Sequence, residues 1–381
     1  MLRKLASRPD WQIALMATVA LRLFFFAMAI VFFPSLHPDR ALIASNALTE
    51  NLPVPHGLHY AFLGIWERFD TLWYLRIAQH GYDQPMAVIF YPLYPAAIRL
   101  FMNLWVSATV AALLVSTVAA FFAFWGLLRL AKARLSGDSG ENAGIGALLA
   151  LAVWPSSFIL FAGYAESLTL ALIVWAVVFA RNARWELATL CGFLAGLTRP
   201  SGVLVAIPLL VIAWQSRRAG ATTVRAMIVI LSPLGTLSYW GWLWWSGRLS
   251  VVDAYRIYQG ATLAAPWRGL AESLRLIVGH GDAVLAAKLA LVILALGFSL
   301  RREMRIEDKL FAIAMVAQMM MYTGRPLLGG QRYVLPMYPA FLSMGNYVAR
   351  RWNTPQFIAL GCFGLINLAW MWAFLDWWLV F

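Results

Sequence analysis

Charge is what this chain has least of. Only 12% of its 381 residues are Asp, Glu, Lys or Arg, about half the share with which a soluble domain wets its surface. A water-facing shell cannot be assembled around a core of this size from such a composition, which excludes a freely soluble fold. Acid is scarcer than base: seventeen Asp and Glu stand against thirty Lys and Arg, for a net charge of +13. In a soluble protein that excess would suggest nucleic acid. Here the basic residues form short clusters between apolar runs, so they report membrane topology, and no nucleic-acid partner is expected. Cysteine is nearly absent. Cys191 and Cys362 each lie inside an apolar run, which leaves neither a disulfide framework nor a thiolate metal site, and both are expected to be buried thiols. Internal repeats and low-complexity linkers are also missing, so residues 1–381 are read as one transmembrane domain. Finally, no small-x-small cleavage site follows the apolar stretch from Trp11 to Phe33. Its ~23-residue length and the mid-span Arg22 argue for a retained first helix instead of a signal peptide.

Apolar residues make up 62% of the chain, with 19 Trp, 23 Phe and 13 Tyr. Runs long enough to cross or nearly cross ~30 Å of hydrocarbon fall at 11–33, 103–130, 143–161, 167–180, 187–198, 201–214, 226–246, 283–300, 310–322, 333–349 and 356–379. The expectation is an all-α polytopic membrane protein of about eleven transmembrane helices, with short or re-entrant segments around Glu166 and Arg199-Pro200. Orientation follows from Lys and Arg in short loops. With a cytoplasmic N-terminus, alternate loops carry 17 of the 30 basic residues: positions 3, 4 and 8; 129, 132 and 134; 181 and 184; 217, 218 and 225; 301, 302, 305 and 309; 350 and 351. The other side then receives the long segments 34–102 and 247–282 and the turns at Glu166, Arg199 and 323–332. A multi-pass protein of the cell (inner) membrane, its functional face turned outward or to the periplasm, is the expected arrangement.

Segment 34–102 is too long for a plain connector. From Ala61 to His80 (AFLGIWERFDTLWYLRIAQH), Phe62, Trp66, Phe69, Trp73 and Ile77 recur at helical spacing, which predicts an amphipathic helix over 61–80 lying at the interface, with Arg68 and Arg76 on its opposite side. Glu67, Asp70, Trp73 and Tyr74 are spaced three or four apart and would share a face. A carboxylate there suits a base acting on a lipid-linked substrate, while ordinary interfacial polarity explains the same residues as well.

The stretch WERFDTLWYLRIAQHGY resembles the signature that follows the first helix of PIG-V-type mannosyltransferases in their bacterial form, polytopic glycosyltransferases of the GT-C class. FYPLYPAAIRL (90–100), GYAESLTLAL (163–172), AGLTRPSGVLV (195–205) and RYVLPMYPAFL (332–342) resemble that group's later blocks in the same order. The resemblance spans roughly residues 1–350. It implies a GT-C-like bundle and transfer of a hexose, typically mannose, from a polyprenyl-phosphate sugar to a glycan, lipid or protein acceptor at the outer face. An auxiliary membrane subunit is a candidate partner, alongside membrane lipids. Glu67 and Asp70 depart from the D-x-D or D-D pair of the wider class, which puts a second acidic role and a bound divalent metal in doubt. No cofactor and no metal are expected.

Attack of a hydroxyl on a sugar C1 needs one base, assigned to Asp70, and a phosphate leaving group needs fixed positive charge. Arg199, Arg325 and Arg332 fall in outer turns, where they either grip phosphate or anchor helix ends at headgroups. Glu166 reads as a ligand of sugar hydroxyls or as the partner of an Arg. Arg22 asks for a buried partner. Glu67, Trp73, Tyr74, His80 and Tyr91 are candidate sugar or acceptor contacts. Tyr82, Tyr94, most Trp residues and the terminal MWAFLDWWLVF with Asp376 read as interfacial belt. A lipid or solute transporter without transferase activity is the alternative from another class, since it too would place Arg22 and Glu166 at membrane depth.

Overall fold

The computed structural model describes residues 8–37, 57–133, 138–218, 223–350 and 353–378. Helices dominate: α1 (Asp10–Phe32), α2 (Asp70–His80), α3 (Leu93–Met102), α4 (Ala108–Lys132), α5 (Asp138–Val153), α6 (Glu166–Arg181), α7 (Trp185–Gly196), α8 (Ala206–Arg218), α9 (Leu234–Trp245), α10 (Val251–Gln259), α11 (Pro266–His280), α12 (Ala283–Ser299), α13 (Ile306–Met319), α14 (Tyr338–Arg350) and α15 (Thr354–Leu375). Among the described residues the only strands are β1 (Thr262–Leu263) and β2 (Tyr322–Thr323), paired antiparallel. The fold is therefore all-α, as its composition implies.

Four described helical stretches are long and apolar enough to cross a bilayer by themselves: Asp10–Ser35, Ala108–Lys132, Met227–Trp245 and Thr354–Leu375. Others are short because the chain breaks them. Tight 3-10 turns at Ser157–Phe161 and Pro200–Val205 interrupt runs that read as continuous in sequence, the second of them opened by Pro200, which has no amide to donate. Helix length alone thus does not fix how many times the chain crosses.

Ion pairs sort the helix ends. Asp10 pairs with Lys132 at 2.8 Å and Arg181 with Glu307 at 2.8 Å, while Asn346 Nδ2 donates to Glu303 at 3.3 Å. The start of α1, the ends of α4, α6 and α14, and the start of α13 therefore share one end with the basic clusters. At the opposite end, Leu93 N–H donates to Leu197 C=O at 3.0 Å and Ala264 N–H to Met321 C=O at 2.7 Å. The segments after α1, α7, α9 and α13 meet there. In the centre α5 and α14 lie almost backbone to backbone. A Cβ added at Gly345 would stand 2.3 Å from the Ala147 nitrogen, so close approach of small residues replaces side-chain interdigitation, as lipid-embedded helices favour.

The helix expected over 61–80 is broken. A short helix, Gly57–Phe62, and a 3-10 turn, Gly64–Trp66, precede α2, and Phe69 between them adopts φ 46°. The cause is Arg68, which is fully buried and not on a wet face. Its guanidinium donates to Tyr60 Oη at 2.6 Å, Gly64 C=O at 3.0 Å and Leu375 C=O at 3.0 Å, and it lies 4.7 Å from the Trp377 ring centre. Drawing Arg68 inward turns the chain, so α2 begins only at Asp70. The aromatic stripe does not float at an interface either: Trp66 packs on Phe26 of α1, and Phe69 on Phe374 and Trp377. Only Arg76 stays wet, held by Asp83 at 2.7 Å; that guanidinium keeps the Asp83 carboxyl below its ordinary pKa.

Tyr94 is buried rather than in a belt, its hydroxyl meeting Ser116 Oγ at 2.7 Å. Asp376 is buried and accepts from the His37 amide at 2.7 Å, so the C-terminal run closes onto the end of α1. Cys362 is exposed on α15 and Cys191 only half-buried, because thiols tolerate an apolar exterior as readily as a core. Arg22 has its buried partners, and they are uncharged: Thr117 Oγ1 at 2.9 Å and the carbonyls of Leu113 and Phe161 at 2.8 and 2.7 Å.

Candidate active site

Asp70 is the first residue of α2, where the helix dipole favours a carboxylate, and the left-handed turn at Phe69 aims it into the bundle. Arg332 comes from a one-turn helix, Gly330–Tyr333, entered through Gly329 at φ 70°. That conformation suits glycine. Glu166 opens α6, and Arg199 directly precedes the Pro200 turn. Four chain segments remote in sequence are thus brought to one point.

Their charges alternate. Arg332 Nη1 donates to Asp70 Oδ2 at 2.6 Å, Arg332 Nε stands 3.0 Å from Glu166 Oε1, and Arg199 Nη1 contacts the same Glu166 oxygen. Glu166 is fully buried, Arg199 and Arg332 nearly so, and Asp70 keeps 27% of its side chain exposed. The two guanidiniums also stack on tyrosines. Arg199 lies 4.4 Å from the Tyr333 ring centre, and Arg332 lies 5.1 Å from Tyr164, a favourable cation–π arrangement. Burial opposes the charge of Arg332, but Asp70 and then Glu166 outweigh it and raise its pKa.

A cavity of about 340 Å³ opens over this row. Asp70, Trp73, Tyr74, Arg199, Arg325 and Arg332 line it; these sequence-derived candidates converge. Glu166 sits behind the wall as the shared counter-ion. The two guanidiniums in the wall are matched by two carboxylates, so Arg325, exposed and without an ion-pair partner among the described residues, leaves the cavity one net positive charge. Asp70 Oδ1 has no partner among the described residues, since Arg332 engages only Oδ2. Trp73 stacks on Phe90 with ring planes 11° apart and centres 5.6 Å apart, which fixes its indole as a flat wall. Tyr74 is buried, and burial raises its pKa well above the ordinary phenol value; it stays a neutral donor.

Glu67, His80 and Tyr91 are placed elsewhere. Glu67 lies before α2 and accepts from Thr109 of α4, so it does not share a face with Asp70. His80 is exposed at the far end of α2, about 15 Å along the axis from Asp70. Tyr91 is buried, accepting from Trp240 Nε1 at 2.8 Å. Conversely, the cavity uses residues that the sequence did not single out: Tyr164, Thr198, Tyr333 and, from α10, Tyr255, Tyr258 and Gln259. Tyr164 and Tyr333 stand beside Glu166 and Arg332 in the blocks quoted above. The signal for α10 was a short amphipathic stretch, VVDAYRIYQ, capped by Ser250, between two long apolar runs. Among the described residues no three His, Cys, Asp or Glu side chains gather as a metal-ligand set.

No protein-family model matches this chain, and no curated protein matches it. Among solved structures, the crystal structure of ArnT from Cupriavidus metallidurans bound to undecaprenyl phosphate is similar, with a TM-score of 0.48 and 14% sequence identity. The match covers 89% of this chain and 61% of that one, so this chain spans about three-fifths of that protein's length.

Proposed function

We propose that this chain is an integral-membrane glycosyltransferase of the GT-C class, crossing the bilayer about eleven times, which moves a hexose from a polyprenyl-phosphate sugar to a hydroxyl acceptor. The reading rests above all on Asp70: a part-exposed carboxylate in the wall of a cavity beside the apolar helices, with one oxygen gripped by an arginine. The PIG-V-like sequence blocks, which contribute Asp70, Glu166, Arg199 and Arg332, make mannose the first sugar to test.

In this reading the acceptor hydroxyl attacks the sugar C1 as the bond from C1 to the phosphate oxygen breaks, passing through an oxocarbenium-like state. The hydroxyl proton goes to Asp70 Oδ1, and the bonding electrons leave on the prenyl phosphate. One displacement inverts the anomeric centre. Arg332 orients Asp70, Arg325 supplies the uncompensated charge that the departing phosphate requires, and the Trp73 indole offers a stacking face to the sugar. Guanidinium groups can do this without a divalent metal, so none is assigned.

Incubating the purified protein with a panel of radiolabelled polyprenyl-phosphate hexoses and membrane extract should yield a labelled, mannosidase-sensitive product, with the same rate in EDTA. A chain that leaves every donor unchanged would refute the reading; a chelator-abolished rate would overturn the metal-free chemistry. The sidedness is checked separately. Cysteines introduced near positions 60 and 260 should be labelled by an impermeant reagent from outside intact cells, and labelling only after permeabilisation would reverse the orientation.

A further inference from the structure

The end of the molecule away from Asp70 holds a second cavity that transfer chemistry does not use. It measures about 360 Å³ and lies between the start of α1 and the ends of α4 and α6, with Asp10, Arg129, Lys132, Val178, Arg181 and Asn182 in its wall. Among the described residues of the lining, three cations thus face one carboxylate. Lys132 Nζ is 2.8 Å from Asp10 and Arg129 Nε 3.8 Å from it, and the Arg129 side chain remains 56% exposed. Arg181 is held by Glu307 and Asp308, which are buried and do not line the cavity.

From this hollow an aromatic seam runs along α4 and α6. Phe122 and Trp125 lie 6.2 Å apart, Trp125 and Trp175 5.1 Å, Trp175 and Phe179 5.2 Å, and Trp175 Nε1 ties the two helices by donating to Phe122 C=O at 2.9 Å. Trp125 is one helical turn before Arg129, and Phe179 one turn before Asn182, so the seam begins where the cations end. None of its four rings is fully buried. A cationic hollow at the head of an apolar seam complements an anionic head carrying acyl chains. A soluble phosphate would leave the seam unused. A zwitterionic lipid would bring its own cation against Arg129.

We propose that this hollow binds an anionic phospholipid, its phosphodiester received by Arg129 and Lys132 and its acyl chains lying along the Phe122, Trp125, Trp175 and Phe179 seam. The proposal is independent of the transferase reading.

The test uses the full chain in phosphatidylcholine nanodiscs containing graded phosphatidylglycerol, with retained lipid counted by native mass spectrometry. Phosphatidylglycerol should be retained preferentially. Arg129→Gln, at an exposed position, should weaken retention about fivefold. Asp10→Asn removes the carboxylate that lines the hollow among the described residues and should strengthen it, an effect that a merely structural role would not give. Arg225→Gln, an exposed cation at the same end paired with Glu186, should change nothing. Three results would each overturn the proposal: undiminished retention in Arg129→Gln, equal loss in Arg225→Gln, or inorganic phosphate alone displacing the lipid at equal concentration.

Discussion

Asp70→Asn should lower the transfer rate by about 10²- to 10⁴-fold, the usual contribution of a positioned general base, with a smaller cost to folding than loss of a fully buried partner, since Asp70 keeps 27% of its side chain exposed. Asn keeps the shape and the oxygen that accepts from Arg332, and the site is partly open, so the packing around Phe69 and Tyr74 is undisturbed. What disappears is the capacity to take a proton. Initial rates in membranes, normalised to protein amount and accompanied by a thermal melt, separate the two effects. Near-normal transfer would remove Asp70 from the chemistry.

Glu166→Gln should instead act on stability. This carboxylate is fully buried and serves two guanidiniums at once. Neutralising it leaves Arg199 and Arg332 close together with Asp70 as the remaining ion-pair partner among the described residues. Removing one partner of a buried ion pair costs about 3–5 kcal/mol, because the remaining charge stays desolvated. The variant should unfold in detergent at markedly lower temperature and be cleaved faster by protease, whereas Glu166→Asp should recover part of the loss. Unchanged melting would mean that the alternating row carries little of the fold's stability.

The all-α character was legible from composition, and the separation of two ends from the spacing of Arg and Lys: the pairs of Asp10 with Lys132 and Arg181 with Glu307 join segments that the loop pattern had put on one side. Arg199 and Arg332 were legible because each stands in a short polar break between apolar runs, and Asp70 because it is an acid in an amphipathic stretch of the long segment 34–102. Two things were hidden. Periodicity around Asp70 predicted one helix, since Trp66, Phe69 and Trp73 keep helical spacing, but a buried Arg68 seeking the carbonyl of Leu375, hundreds of residues away, overrode local pattern. Tertiary hydrogen bonding of that range leaves no local trace. The contribution of α10 was equally invisible, because Tyr255, Tyr258 and Gln259 reach the cavity only through the packing of that helix on the Pro85–Ile89 turn and the pairing of Thr262 with Thr323. Burial raises the Tyr255 pKa well above the ordinary phenol value, so it meets any ligand as a neutral donor.

The central claim is that a lipid-borne phosphate is received in the cavity over Asp70. Photo-crosslinking with a diazirine-bearing polyprenyl phosphate, followed by peptide mapping, addresses it most directly. The account predicts adducts in segments 69–74, 198–200 and 325–333, suppressed by excess polyprenyl-phosphate sugar and weakened by Arg325→Gln. Adducts confined to other surfaces, or labelling that excess donor does not reduce, would contradict it.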